Sequence, residues 1–267
     1  MHRNNAWTGS IVLAALLAGG TLLGGCAATP TDPESRAQAQ AENDPIEPFN
    51  RYMMDLNLAA DALFLKPAAQ SYKDVVPENV RTGVHNALAN LRAPLTFIHD
   101  LLQGSVDRAD VTLARFLVNT IVGLGGIFDP ATGLGLKHHA EDSGQTLAVW
   151  GADEGFYLVL PIFGPSNLRD AVGLAADIVI DPVSYYGRAE NVTLLSMGRP
   201  IGEGIDARSR NIEVIDQLQK DSLDFYAAIR SAYRQRRVNE IRNGEPTGNV
   251  PAPSISGGAS ATVESRR

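Results

Sequence analysis

Apolar positions in this chain recur mostly three and four residues apart rather than in alternation, so helices dominate its pattern. The strongest stretch runs from Arg115 to Asp129. Leu113, Phe116, Leu117, Thr120, Ile121 and Leu124 share one face at helical spacing, and Val111, Val118 and Val122 make the flanks apolar too. What stays polar is a narrow seam of Thr112, Arg115 and Asn119, ending at the bare backbone of Gly123. A helix that is apolar nearly all round is deeply buried or sits in lipid. From Val111 to Leu124 it covers about 21 Å at ~1.5 Å per residue, against roughly 30 Å for a hydrocarbon core. That is long enough to dip into one leaflet and too short to cross.

Gly123, Gly125 and Gly126 end this helix, and Ile127-Phe128-Asp129-Pro130 keeps the chain apolar through the turn. Two readings stay open: a glycine hinge with re-entry of the chain, or a tight Schellman stop on a core helix. No phosphate loop is implied, because neither Lys nor Ser follows the glycines.

The other elements read in order. Asp44-Pro45-Ile46-Glu47 has the cap, proline and acidic residue of a helix start, with Ile46, Phe49, Met53, Leu56, Ala60 and Leu63 as its stripe and Lys66-Pro67 as its stop. A second helix begins at Pro77 with Val80, Val84, Leu88 and Leu91 inward. Pro94 restarts the chain, and Leu95, Ile98, Leu101 and Leu102 lead to a stop at Gly104. Ser105 is placed to cap the central helix, with Asp107 in its first turn. Residues 133–143 read as a solvated loop holding His138, His139, Glu141 and Asp142, since adjacent histidines point apart and no third metal ligand is nearby in sequence. Phe156 to Phe163 reads as a short strand or an extended segment on the helices or at a lipid interface. Ser166 is expected to cap a helix whose Leu168, Val172, Ala175 and Val179 face one way, ended by Asp181-Pro182. Tyr185, Tyr186, Leu194, Leu195 and Met197 fit an interfacial stretch. Arg208 to Arg242 is expected to form one long amphipathic helix, with Arg234, Arg236 and Arg237 on a solvated face.

The first residues stand apart from this pattern. Arg3, the apolar run Ile11–Leu23 and small residues beyond it make a secretory signal. Leu23-Gly24-Gly25-Cys26 resembles the lipobox of bacterial lipoproteins. Cys26, the chain's single cysteine, is then the acceptor for S-diacylglycerol and, through its freed amine, an N-acyl chain. More than one acyl chain is what stable anchoring needs. Ala27 and Ala28 follow with no Asp at the second place, which by resemblance to lipoprotein sorting rules favours the outer membrane. The domain organisation expected is a signal peptide over 1–25, a lipidated flexible tether over 26–43, one helical domain over 44–242 and a disordered tail over 243–267.

Composition narrows the function class. A net charge of -7 makes nucleic acid an unsuitable partner, and 44% hydrophobic with 20% charged residues is a globular balance. There is no nucleophile elbow, no His-Glu-x-x-His and no cysteine pair. His99, Asp100 and Asp129 are available for acid–base work, yet nothing in sequence pairs them with a nucleophile. Catalysis is poorly supported, and no cofactor is implied.

Longer motifs then speak for a family. Asp44-Pro-Ile-Glu-Pro-Phe-Asn-Arg51, Asn90-Leu-Arg-Ala-Pro-Leu95, Asp100-Leu-Leu-Gln-Gly104, Arg115-Phe-Leu-Val-Asn-Thr120, Gly123-Leu-Gly-Gly126, Gly144-Gln-Thr-Leu147, Tyr157-Leu-Val-Leu-Pro161 and Leu168-Arg-Asp170 resemble the VacJ/MlaA outer-membrane lipoproteins, in order, from Asp44 to Arg237. The resemblance implies a mainly α fold: amphipathic helices in a ring-like, membrane-embedded single domain with a glycine hinge. It implies a lipoprotein in the periplasmic-side leaflet of the outer membrane, beside a trimeric porin. Such a protein takes mislocalised phospholipid from the outer leaflet and hands it to a soluble periplasmic carrier, maintaining lipid asymmetry. Thr112, Arg115 and Asn119 are the candidate channel seam. Arg115 either meets the headgroup or pairs with Asp100, Asp110 or Asp129 to fix the helix. Gly123, Gly125 and Gly126 are the candidate hinge. The competing class is a lipoprotein that scaffolds porins or other envelope proteins without moving lipid, and a lipid hydrolase is a weaker third.

Overall fold

A computed structural model describes residues 43–244. The expected signal peptide, Cys26, all but the last residue of the tether, and the tail past its first two residues lie outside the described residues. The described chain is mainly helical. Helix α1 (Glu47–Ala60) runs through a π-turn (Asp61–Leu65) into α2 (Lys66–Val75). The long α3 (Glu78–Leu102) and α4 (Val106–Ile121) form the packed pair at the centre. After the short α5 (Pro130–Gly133) and α6 (Ser143–Val149) come strands β1 (Tyr157–Leu160) and β2 (Gly164–Asn167), then α7 (Leu168–Ile180) and α8 (Pro182–Ala189). A second π-turn (Leu194–Gly198) leads into α9 (Arg199–Arg210), followed by α10 (Ile212–Asp221) and α11 (Phe225–Ile241).

Two proline signals do not act as expected. Lys66-Pro67 does not stop the first helix. Pro67 has no N–H for the carbonyl four residues back, and the wider turn ahead of it absorbs the mismatch, with Lys66 N–H donating to Asp61 five residues back. The same device recurs before Pro200, where Arg199 N–H donates to Leu194. Nor does Pro94 restart the chain. Helix α3 passes straight through it, because Asn90 is tied to Thr120 Oγ1 at 2.9 Å and Leu95 is buried just beyond.

Several caps and faces also move. Asp44 does not cap α1; its buried carboxylate accepts from Asn50 at 2.7 Å, from Arg230 at 2.7 Å and from the Tyr226 hydroxyl. Ser105 stands at the N-cap of α4 without a side-chain bond. Asn167, not Ser166, caps α7, accepting from Asp170 N at 2.7 Å. The single helix expected over 208–242 is three, interrupted at Asn211 and again at Ser222–Asp224, where Ser222 Oγ donates to Leu218 O and Asp224 caps α11 through Ala227 N at 3.1 Å.

The two strands pair antiparallel, Tyr157 opposite Asn167 and Leu160 opposite Gly164. The free edge of β1 is satisfied by side chains of α1. Asn50 donates to Tyr157 O at 3.0 Å and accepts from Val159 N at 2.9 Å; Asn57, two turns on, donates to Leu160 O at 2.9 Å and accepts from Ile162 N at 2.7 Å. Two asparagines seven apart thus make a helix serve as a third strand. A small apolar core lies at this junction: Met53, Met54, Tyr157, Val159, Tyr226 and Tyr233.

Elsewhere the usual burial is inverted. The buried face of α4 is Ala109, Thr112, Arg115 and Asn119, while Leu113, Leu117 and Ile121 are exposed. On α7 it is Gly173 and Asp177 that are buried, and the row of Leu168, Val172, Ala175 and Val179, which shares one face as its spacing predicts, is exposed. Val80 and Val84 of α3 also face out, contrary to their expected inward placement, as do Leu56 and Leu63 at the end of the first stripe. Ion pairs fill the interior instead: Arg199–Asp181, Arg208–Asp61 at 2.8 Å, Arg230–Asp44 at 2.7 Å, and Arg237 with both Asp142 at 2.6 Å and Asp170 at 2.7 Å. Arg237 is therefore not on a solvated face, although Arg236 is.

Candidate functional site

A cavity of about 530 Å³ lies between α3, α4, α9 and the segment from Asp129 to Ala140. Each helix contributes one row at helical spacing: His85, Ala89, Arg92 and Thr96 from α3; Thr112, Arg115, Phe116 and Asn119 from α4; Glu203, Asp206, Ala207 and Arg210 from α9. The polar seam read from the sequence is thus the wall of a cavity, with the aliphatic side of α4 turned outward.

Arg115 is pinned there. It bonds Asp129 at 2.8 Å and Thr132 Oγ1 at 3.1 Å, and donates to the Leu136 carbonyl. Of the three acidic partners open in the sequence, Asp129 is the one used. Asn119 spans the same turn, donating to Asp129 at 2.9 Å and accepting from Ala131 N at 3.1 Å. Burial opposes the charge on Asp129, but hydrogen bonds from Thr132, Arg115 and Asn119 outweigh it and hold the carboxyl at about 2. Burial, with the nearby Arg115 charge, pushes His138 below its ordinary value, so the imidazole facing the cavity is neutral at pH 7.

Thr112 belongs to a second knot. It donates to Asp100 at 2.6 Å, and His139 Nε2 lies 3.0 Å from the same carboxylate. The segment expected as a solvated loop is instead structural: Glu141 is 1% exposed and paired with Arg108, while Asp142 caps α6 and pairs with Arg237. Asp100, His139 and Glu141 bring ligand atoms within 4.8 Å of one another, so the third ligand type missing from local sequence comes from α3. Those oxygens already accept from Thr112, Arg108 and Gln103 (2.9 Å), which makes the cluster a satisfied polar network. His99 is remote from acid–base work: it is buried between Thr146 Oγ1 at 2.9 Å and Asp177 at 3.0 Å.

The glycine segment closes against α3. Leu124, Gly125 and Gly126 all have positive φ, and a Cβ on Gly126 would lie 2.4 Å from Asn90 Cβ, so only glycine fits. Gly125 N donates to Thr120 O at 2.9 Å and Gly126 N to Asn119 O at 2.8 Å, turning the chain back onto the end of α4.

Sequence reasoning passes over Arg92, His85, Asp206 and Glu203. The signal is present: His85, Ala89, Arg92 and Thr96 have helical spacing, but the apolar row of α3 reads as its inward face and hides them. Among the described residues no helix is long and apolar enough to cross a membrane.

An ionic interior, a cavity lined by charged and polar side chains and an exterior of exposed Leu, Ile and Val define a class: helical domains whose apolar surface is suited to contact with something other than water. Comparison with known proteins gives the family. The MlaA lipoprotein family matches residues 42–240, and the chain belongs to that family. It is 34% identical over 249 residues to the intermembrane phospholipid transport system lipoprotein MlaA of Escherichia coli (strain K12), covering 91% of this chain and 94% of that one. The protein of that description from Haemophilus influenzae is 31% identical over 239 residues, 88% and 91% of the two chains. A solved structure described as the structural basis for maintenance of bacterial outer membrane lipid asymmetry superposes with a TM-score of 0.65 at 32% identity, covering 74% of this chain and 98% of the other.

Proposed function

We propose that this chain is an outer-membrane lipoprotein, anchored through acylated Cys26 in the periplasmic-side leaflet, that removes mislocalised phospholipid from the outer leaflet. The lipid passes through the cavity walled by Thr112, Arg115 and Asn119 and goes to a soluble periplasmic carrier, with a trimeric porin alongside. In this reading the helices form a ring around the cavity, and the segment Gly123–Gly126 is the hinge that opens it. One observation carries the reading: the polar row of α4 lines the cavity while Leu113, Leu117 and Ile121 are exposed. A headgroup crossing lipid unpartnered costs several kcal/mol. A hydrated wall removes most of that cost while acyl chains remain against the aliphatic exterior. The relatives' description as phospholipid-transport lipoproteins supports the same role.

The exposed aliphatic surface equally fits a protein interface, which favours the scaffold as second reading. Surface-exposed phospholipid on cells lacking the gene separates the two. Transport requires that exposure rise and that the wild-type chain correct it; unchanged exposure with altered porin assembly selects the scaffold.

A further inference from the structure

The cavity contains two charged side chains that the ion-pair network leaves without a full partner. Four other basic side chains there each have a carboxylate partner: Arg115 with Asp129, Arg210 with Asp206 at 3.1 Å, His85 with Asp206 at 2.7 Å and His139 with Asp100. Arg92 differs. Among the described residues no carboxylate lies within ion-pairing distance of it, and its Nε is buried with no acceptor. Glu203, on α9, has Oε1 buried with no donor. Its ion-pair partner is Arg199 Nε of its own helix, at 3.5 Å and without a hydrogen bond, and the rest of that guanidinium is directed to Asp181, Ser184 and Leu91 O. Arg92 and Glu203 make no ion pair with each other, although the Arg92 charge is felt at Glu203.

A positive and a negative group held apart in one cavity, each with an unused polar atom, form a template for a ligand carrying both signs. We propose that the cavity binds the zwitterionic headgroup of a phospholipid, with Arg92 taking phosphodiester oxygens and Glu203 the headgroup ammonium. The proposal rests on the transport reading above and narrows it to a class of headgroup. A guanidinium presents its donors as a planar fork that matches phosphate. A carboxylate offers only acceptors, which suits an ammonium with three N–H groups. An anionic headgroup without the ammonium would leave Glu203 unmatched and add repulsion. Burial pushes Glu203 above its ordinary value, and an arriving ammonium opposes that shift by favouring the charged form.

The test uses the full acylated protein in detergent, equilibrated with micelles holding equal phosphatidylethanolamine and phosphatidylglycerol, repurified, and its bound lipid quantified by mass spectrometry. Wild type is expected to enrich phosphatidylethanolamine. Arg92→Gln is expected to lower both lipids about tenfold, the ratio for one charge-assisted hydrogen bond, with Arg92→Lys recovering part of it. Glu203→Gln is expected to keep the phosphatidylglycerol bound and abolish the preference. Arg92 has no ion-pair partner among the described residues and Glu203 only the 3.5 Å contact with Arg199, so both variants should melt within a few degrees of wild type. Bound lipid at the micelle ratio in wild type, or unchanged amounts in both variants, overturns the proposal and leaves transport standing if the gene still corrects surface phospholipid. A protein that binds no phospholipid and corrects nothing overturns both. O-phosphoethanolamine and inorganic phosphate, added separately as competitors, tell headgroup from free phosphate: displacement by the former alone supports the proposal, and equal displacement by inorganic phosphate refutes the role of Glu203.

Discussion

Replacing Arg115 by Gln asks whether the seam arginine is chiefly a fixing residue. Its side chain is 8% exposed and its guanidinium serves Asp129, Thr132 and the Leu136 carbonyl. Removing one partner of a buried pair costs about 3–5 kcal/mol. Asp129 is 25% exposed and keeps Asn119 and Thr132 as donors, which places the expected loss lower, at about 2–3 kcal/mol. For a domain near 200 residues each kcal/mol shifts Tm by roughly 2–4 °C, so the variant should melt about 4–12 °C lower at pH 7. The pH dependence has a definite sign. Asp129, held near 2 against an ordinary 3.8, contributes stability that is complete above about pH 4 and lost as pH falls toward 2. Without Arg115 the carboxyl rises toward its ordinary value, so the acid-dependent loss becomes smaller and is complete at higher pH. Thermal unfolding by circular dichroism of Arg115→Gln, Asp129→Asn and the double variant measures both effects. A melting temperature within about 1 °C of wild type, or a cycle additive within ~0.5 kcal/mol, refutes the pinning. An Arg115→Gln protein that is abundant, membrane-bound and fully active in clearing surface phospholipid excludes a headgroup role for this residue.

Two further outcomes follow from the same geometry. Gly125 has φ +74 with nothing within 4 Å of where a Cβ would stand, so Gly125→Val strains only the backbone. Left-handed backbone costs a β-branched residue about 1–2 kcal/mol or more, and transport should change in a variant that still folds; unchanged transport counts against the hinge. Ile121 is 74% exposed at the end of α4. If that face meets lipid, Ile121→Lys should leave detergent stability unaltered and weaken vesicle flotation of an unacylated Cys26→Ser chain roughly 10- to 100-fold, whereas equal flotation would show the face to lie in water or against protein.

Helix content, the central helix with its seam, the stop at Gly104 and the family are all legible in the chain, because each depends on local spacing or on residues adjacent in sequence. Thr112, Arg115 and Asn119 stand out as the polar minority on an apolar helix, and the structure turns that minority inward. The same periodicity misleads on α3, where it places Val80 and Val84 inside; on α7 it groups Val172 and Val179 on one face without saying which way that face points. A helical period tells which residues share a face; it does not tell whether that face meets core or hydrocarbon, since both solvate aliphatic side chains alike. Pro67 and Pro94 read as breaks because the cost of a missing N–H is local, while the π-turn and the anchoring of Asn90 and Leu95 that offset it arise only from packing.

What the sequence determined by itself is therefore the helical character of most segments and the polar seam of α4, while Cys26 as the lipidation site remains its expectation. What only the tertiary structure decided is which charges meet. Arg115 finds Asp129 rather than Asp100 or Asp110, Arg237 joins Asp142 to Asp170 from 67 residues beyond the latter, and Arg92 is left facing Glu203's cavity without a carboxylate. Ion pairing depends on separations of a few ångströms between segments far apart in the chain, and no local pattern encodes that distance.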